Sequence, residues 1–137
     1  MTIKLPIGNT NFRDIRKKGS YYVDKTKLLV DLLDSDVMVS LITRPRRFGK
    51  TLMLSTLEEF FNIRNDKGET RKLFNGLAIM GREDLVGEYM SSYPVMHFSF
   101  NGVADASYEE LIGSILKMMK NWCIDNIWCA PQKYHMT

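Results

Sequence analysis

Short apolar runs alternate with amphipathic stretches along the chain, and the alternation predicts a succession of strands and helices. Val37-Met38-Val39-Ser40-Leu41-Ile42 is mostly apolar and partly β-branched, the pattern of a strand buried on both faces of a parallel sheet. After a polar interval, Leu54, Leu57, Phe60 and Phe61 recur at helical spacing, which leaves Glu58 and Glu59 for solvent. A second run, Val95-Met96-His97-Phe98-Ser99-Phe100, is apolar at four of its six positions and reads as another strand.

Helices are expected on either side of these runs. Residues 5–11 are rich in turn formers and form a lead-in; 12–18 support one or two helical turns, closed by Gly19 and Ser20. The aromatic run Tyr21-Tyr22-Val23 suits strand pairing or contact with a ligand, and Asp24 suits the N-cap of a helix that carries Leu28, Leu29, Leu32 and Leu33 and ends near 34–36. Downstream, Asn65-Asp66-Lys67-Gly68 reads as a polar turn, 71–79 as a short helix before Gly81, and 84–91 as a helix with Leu85, Val86, Tyr89 and Met90 on one face, stopped at Tyr93-Pro94. A loop over 101–106 leads to Ser107-Tyr108-Glu109-Glu110, the Ser-x-x-Glu form of a capping box. Leu111, Ile112, Ile115, Leu116, Met118, Met119 and Trp122 then mark a long helix whose stripe predicts burial against a sheet or a neighbour.

Composition changes this picture little. At 137 residues the chain is the size of one domain, and a net charge of +3 is too small to imply a nucleic-acid partner by itself. The charge is uneven, with one basic cluster at Arg13, Arg16, Lys17 and Lys18 and another at Arg44, Arg46, Arg47 and Lys50. Such clusters mark either anion sites or solvated faces. No apolar stretch approaches the length of a membrane span and the N-terminus lacks a secretory apolar core, so no membrane partner and a cytoplasmic location are the expectation. Cys123 and Cys129 read as reduced thiols, with a zinc site recruiting His135 as the alternative, and His97 reads as a strand histidine rather than a catalytic base.

Candidate chemistry concentrates between the first strand and the helix after it. Thr43-Arg44-Pro45-Arg46-Arg47-Phe48-Gly49-Lys50-Thr51 ends in Gly-Lys-Thr, as a phosphate-binding loop does when it joins a buried strand to a helix. In that template the backbone N–H groups curl around phosphates, the Lys reaches the β/γ oxygens and the hydroxyl holds Mg²⁺. The expected nucleotide site is therefore Arg46, Arg47, Phe48, Gly49, Lys50 and Thr51, with Thr51 on Mg²⁺ and the helix beginning at about Gly49 and Lys50. Arg44 replaces the usual first Gly, so the backbone must enter by another path, one that Pro45 is placed to set. Tyr21 and Tyr22 either reach the base of the nucleotide or pack in the core.

Taken in order, Leu5-Pro6-Ile7-Gly8, the aromatic run continuing into Asp24-Lys25-Thr26, the loop at 43–51, the helix at 54–61 and Tyr93-Pro94-Val95 resemble the bacterial AAA-ATPase-like family. The resemblance runs from Leu5 to the neighbourhood of Lys120, and the family shares the Arg at position 44. It implies a P-loop ATPase-like N-terminal domain that uses ATP and Mg²⁺, followed in many members by a PD-(D/E)XK-type nuclease-like domain. The acidic strand motif that such ATPases use to hold Mg²⁺ and orient water is not evident here, since the strand at 95–100 is followed by no carboxylate until Asp105.

The expected fold is thus α/β, a partial P-loop NTPase fold with a parallel sheet flanked by helices. The expected organisation is a lead-in and helix over 1–36, an incomplete ATPase-like core over 37–125 and a ragged end over 126–137. The chain reads as the N-terminal fragment of a larger protein that binds ATP without hydrolysing it alone. The alternative is a nucleic-acid-binding module that uses the two basic clusters as phosphate contacts, and nucleic acid also enters as a partner through the parent protein's nuclease-like domain.

Overall fold

The helices begin where polar side chains satisfy their first N–H groups. In this computed structural model, which describes residues 3–100 and 107–126, α1 spans Phe12–Lys17 and Asn11 caps it by accepting from the Asp14 N–H at 3.0 Å. α2 spans Lys27–Asp34. Its N-cap is Thr26 rather than Asp24, because the Asp24 carboxylate turns back onto the Thr26 N–H at 2.8 Å and the Thr26 hydroxyl at 2.7 Å. α3 spans Lys50–Phe61, starting where the Gly-Lys-Thr motif placed it. α4, Lys67–Phe74, begins inside the stretch expected as a turn, since Asp66 accepts from the Glu69 N–H at 2.8 Å and converts that turn into a cap. A 3₁₀ turn at Ala78–Gly81 and α5 at Glu83–Tyr89 follow. α6 spans Tyr108–Asn126 and opens with the expected capping box: the Ser107 N–H donates to Glu110 Oε2 at 3.1 Å and the Glu110 N–H to Ser107 Oγ at 3.3 Å.

The chain divides into two units, Met1–Tyr93 and Pro94–Thr137. In the first, the apolar faces of α1, α3, α4 and α5 meet around Phe12, Phe60 and Phe74, all fully buried. The Phe12 ring packs 4.6 Å from Phe74 and edge-on to Tyr22 at 5.1 Å, and Phe60 meets Phe74 edge-on at 5.4 Å. Each such burial contributes about 1.5–3 kcal/mol. Leu29 of α2 and Ile79 of the 3₁₀ turn close one side; Leu85, Val86 and Met90 close another.

Glu59 departs from its expected exposure. It is buried, because Arg13 donates Nη2–H to Oε1 at 2.7 Å and Nε–H to Oε2 at 3.1 Å, and Asn65 donates to Oε1 at 3.2 Å. The two ends of one carboxylate are thereby satisfied on a helix face that periodicity assigned to water.

The expected parallel sheet is not formed. Among the described residues there is no strand, and the one recorded bridge is an isolated parallel pairing of Asn62 with Tyr93. Apolarity and β-branching suit a residue to a strand, but a strand exists only by exchanging backbone hydrogen bonds with a neighbour. Among the described residues the run at 37–42 has no such neighbour, and Met38 and Leu41 stand exposed. The run at 95–100 likewise forms no ladder; within its own unit the Val95 carbonyl accepts instead from the Trp122 indole N–H at 2.6 Å. The P-loop NTPase architecture is therefore replaced, in what is described, by a helical assembly that still delivers the loop to a helix start. No described helix is long and apolar enough to cross a membrane. The expected loop at 101–106, Cys129, His135 and all of the expected C-terminal end except Asn126 lie outside the described residues.

Candidate functional site

The loop before α3 owes its shape to two left-handed residues. Arg47 has φ +67° and Gly49 φ +77°, a region a side chain enters only at a cost of about 1–2 kcal/mol. Gly49 is the N-cap of α3 and offers no side chain to cap it, while the Gly49 carbonyl accepts the Met53 N–H at 2.9 Å. The N–H groups of the first turn are thus left toward the loop, at the positive end of a 12-residue helix. A left-handed residue just before such a turn arranges backbone N–H groups into a concave anion nest.

Each predicted site residue can be placed. Arg46, Arg47 and Phe48 are exposed on the loop, Gly49 is half-buried at the helix start, and Lys50 and Thr51 are exposed as the first two residues of α3. Arg47, Phe48 and Gly49 line one cavity of about 370 Å³, together with Pro6, Tyr21, Tyr22, Val23, Lys25, Leu52 and Met53. Arg44 and Phe48 line a second, of about 330 Å³, with Lys25, Asp31 and Met53 among its walls. Arg46, Lys50 and Thr51 line neither of these two cavities.

Lys25 is the residue that sequence reasoning missed. Its ammonium donates to the Phe48 carbonyl at 3.2 Å, and a Cβ added at Gly49 would meet its Nζ at 3.3 Å. The backbone around Lys25 is fixed from the other side, where Asp24 Oδ2 accepts the Ala78 N–H at 2.7 Å and Thr26 Oγ1 accepts the Ile79 N–H at 3.1 Å. Burial pushes the Asp24 carboxyl up, but hydrogen bonds from Thr26 and Ala78 outweigh it and hold the group below its ordinary value. The Asp-Lys-Thr sequence thus joins the 3₁₀ turn to the loop. Its signal in the sequence was the placing of a short polar triplet directly after an aromatic run.

The two tyrosines differ in burial, Tyr22 being half-buried against the core and Tyr21 exposed. Tyr22 packs on Phe12, and its phenol bonds Thr56 Oγ1 at 3.2 Å. Because the Thr56 hydroxyl donates to the Leu52 carbonyl at 2.9 Å, the Tyr22 O–H is the donor in that pair. Burial raises the Tyr22 phenol above its ordinary value. Tyr21 is 55% exposed at the rim of the larger cavity.

The two basic clusters also separate. In the first, Arg13 pairs with Glu59 and with Glu69 at 3.0 Å, Lys17 pairs with Glu69 at 3.0 Å, and Arg16 donates to the Leu73 carbonyl at 2.6 Å and the Asn75 carbonyl at 2.8 Å, at the C-terminal end of α4. That cluster is largely engaged inside the fold. In the second, Arg44, Arg46, Arg47 and Lys50 take part in none of the ion pairs formed among the described residues.

The chain belongs to the AAA-ATPase-like family: the family, described as predicted AAA-ATPase, matches residues 6–133. A protein of Azotobacter chroococcum mcd 1, described as an uncharacterized protein in the vnfD 5'region, is 37% identical over 117 residues, which is 85% of this chain and 20% of that protein. The chain therefore spans about a fifth of this relative's length. No solved structure matches it.

Proposed function

We propose that the loop at 43–51 and the first turn of α3 bind the phosphates of a nucleotide, with ATP and Mg²⁺ as the expected ligands. The observation that carries this reading is a left-handed entry at Arg47 and Gly49 into an uncapped helix start, in a stretch whose Arg44, Arg46, Arg47 and Lys50 form no ion pair among the described residues. The donor set fits the group: backbone N–H groups of 46–51 and the Arg46, Arg47 and Lys50 side chains supply hydrogen-bond donors and positive charge, and Thr51 supplies a hydroxyl. Lys50 would act on the β/γ-phosphates and Thr51 would ligate Mg²⁺. Bound Mg²⁺ would neutralise phosphate charge. Lys25 holds the Phe48 carbonyl and so orients the peptide that leads into Gly49.

Binding rather than turnover is proposed for this chain. The nucleic-acid reading loses support from the engagement of Arg13, Arg16 and Lys17 inside the fold.

A fluorescent ATP analogue titrated with and without Mg²⁺ tests the reading. Saturable, Mg²⁺-dependent binding is expected, and a folded chain that binds single-stranded nucleic acid in preference, with a steep dependence on salt, would overturn it.

A further inference from the structure

The apolar stripe expected to be buried along α6 splits in two around the helix. Leu111, Ile115, Met118 and Trp122 are half-buried, and the Trp122 indole N–H is held by the Val95 carbonyl. Beside them Tyr108, Ile112, Leu116 and Met119 stand 74%, 38%, 60% and 42% exposed, and Cys123 is exposed as well. At about 100° per residue these five fall within about 80° of arc. They form one continuous apolar strip along the helix, which scattered surface side chains would not.

We propose that this strip is where α6 of a second copy of the chain docks, antiparallel, across a two-fold axis passing between Ile115 and Leu116. The proposal stands apart from the phosphate reading and requires no nucleotide.

Two features select that occupant and that direction. The strip reads nearly the same from either end: Tyr108 and Cys123 lie eight and seven residues from Leu116, and Ile112 and Met119 four and three. A copy turned about the axis therefore sets Tyr108 level with Cys123 of the second copy, Ile112 level with Met119, and the two Leu116 side chains beside each other. Such self-complementarity is what an isologous interface requires.

The second feature is charge. Glu109 and Lys120 flank the strip on the same edge, within about 20° of each other around the helix, and among the described residues neither takes part in an ion pair. In the antiparallel pair each Glu109 lies about 3 Å along the axis from the level of Lys120 of the second copy, a gap that long side chains span. A parallel pair would instead set Glu109 against Glu109 and Lys120 against Lys120, which repels. One helix pair of about 22 Å buries less than the about 1,200–2,000 Å² of a standard interface, so the dimer is a weak, reversible one.

Sedimentation equilibrium of the full chain, reduced and without nucleotide, over about 5 to 500 µM tests the association, and a monomer–dimer equilibrium is expected. Leu116→Lys sets two ammonium groups at the axis and should weaken the dimer at least about tenfold, with circular dichroism unchanged because Leu116 is exposed. Glu109→Lys and Lys120→Glu should each weaken it about three- to tenfold, and the two together should return it to within about twofold of wild type. Direction is read by oxidation in a Cys129→Ser background, where Cys123 is the single remaining cysteine. Cys123 alone should not cross-link, since its two copies lie about 22 Å apart along the helices. Adding Tyr108→Cys should give a covalent dimer, because it brings two cysteines level within reach of the about 4.4–6.8 Å that a disulfide spans between Cα atoms.

A chain that stays monomeric throughout would overturn the proposal and leave the strip to a segment from outside this chain. A dimer indifferent to Leu116→Lys would put the interface elsewhere and overturn it equally. Cross-linking through Cys123 alone, or a double charge exchange no better than the single ones, would overturn the antiparallel pairing.

Discussion

Replacing Arg13 by Met separates a structural role for the first basic cluster from a role in contacting nucleic acid. The substitution keeps most of the apolar stem and removes the guanidinium, leaving the Glu59 carboxylate with the Asn65 amide as its remaining recorded side-chain donor. Removing one partner of a fully buried ion pair costs about 3–5 kcal/mol, whereas exposed pairs are worth about 0–1 kcal/mol. The Glu59 side chain is 11% exposed and that of Arg13 28%, which places this pair nearer the buried limit, and Asn65 retains part of the solvation. A loss of about 2–3 kcal/mol follows. For a cooperative unit of this size that is a fall in Tm of about 10–20 °C. Arg71→Met is the control, because the Arg71–Glu83 pair at 3.1 Å is open to water on both sides and should change stability by less than about 1 kcal/mol. The assay is urea denaturation followed by circular dichroism for wild type and both variants, with m compared to confirm that the same transition is observed. Equal stability of the two variants, within about 0.5 kcal/mol, would refute the reasoning, and would return Arg13 to the pool of groups available for an external anion.

Two further perturbations probe the segments around the loop. The Asp24 carboxyl is held below its ordinary value when folded, so its contribution is present above the unfolded pKa of about 4 and is lost as pH falls through the lower folded value; urea midpoints between pH 2.5 and 6 should therefore fall on acidification in wild type and fall less in Asp24→Asn, and parallel profiles would contradict the assigned hydrogen bonds. Gly49→Ala introduces a side chain at φ +77° beside the Lys25 ammonium, so stability should drop by about 1–2 kcal/mol and nucleotide affinity should drop with it; a neutral substitution in both assays would mean that the left-handed entry is not needed.

Much of the helical part of the fold was legible in the sequence, for reasons local to each helix. Gly49-Lys50-Thr51 marked the start of α3, Ser107 and Glu110 marked the start of α6, and Gly19 closed α1 where expected. The sheet was not, because the residues at 37–42 show that a strand would be suitable and not that a partner is present. Burial of Glu59 was equally out of reach: it depends on Arg13, 46 positions away in sequence, and helical periodicity contains no information about which distant cation will arrive. At the site, the loop and its motif were readable from spacing alone. The Lys25 contact was not, since it requires the Asp24 and Thr26 bonds to the 3₁₀ turn that bring a residue 23 positions upstream onto Phe48. The different burial of Tyr21 and Tyr22 likewise emerged from packing, as adjacent aromatic residues are equivalent until one of them finds Phe12.

The central claim is that the second basic cluster and the start of α3 hold nucleotide phosphates. Calorimetric titration of Mg-ATP into wild type, Lys50→Ala and Lys17→Ala tests it most directly, with circular dichroism confirming that all three are folded. Hydrogen bonds to charged groups are worth about 1.5–3 kcal/mol, so Lys50→Ala should weaken binding by about 10- to 100-fold while Lys17→Ala, whose side chain pairs with Glu69, binds as wild type does. Equal affinity of wild type and Lys50→Ala, or an equal loss in both variants, would contradict the claim.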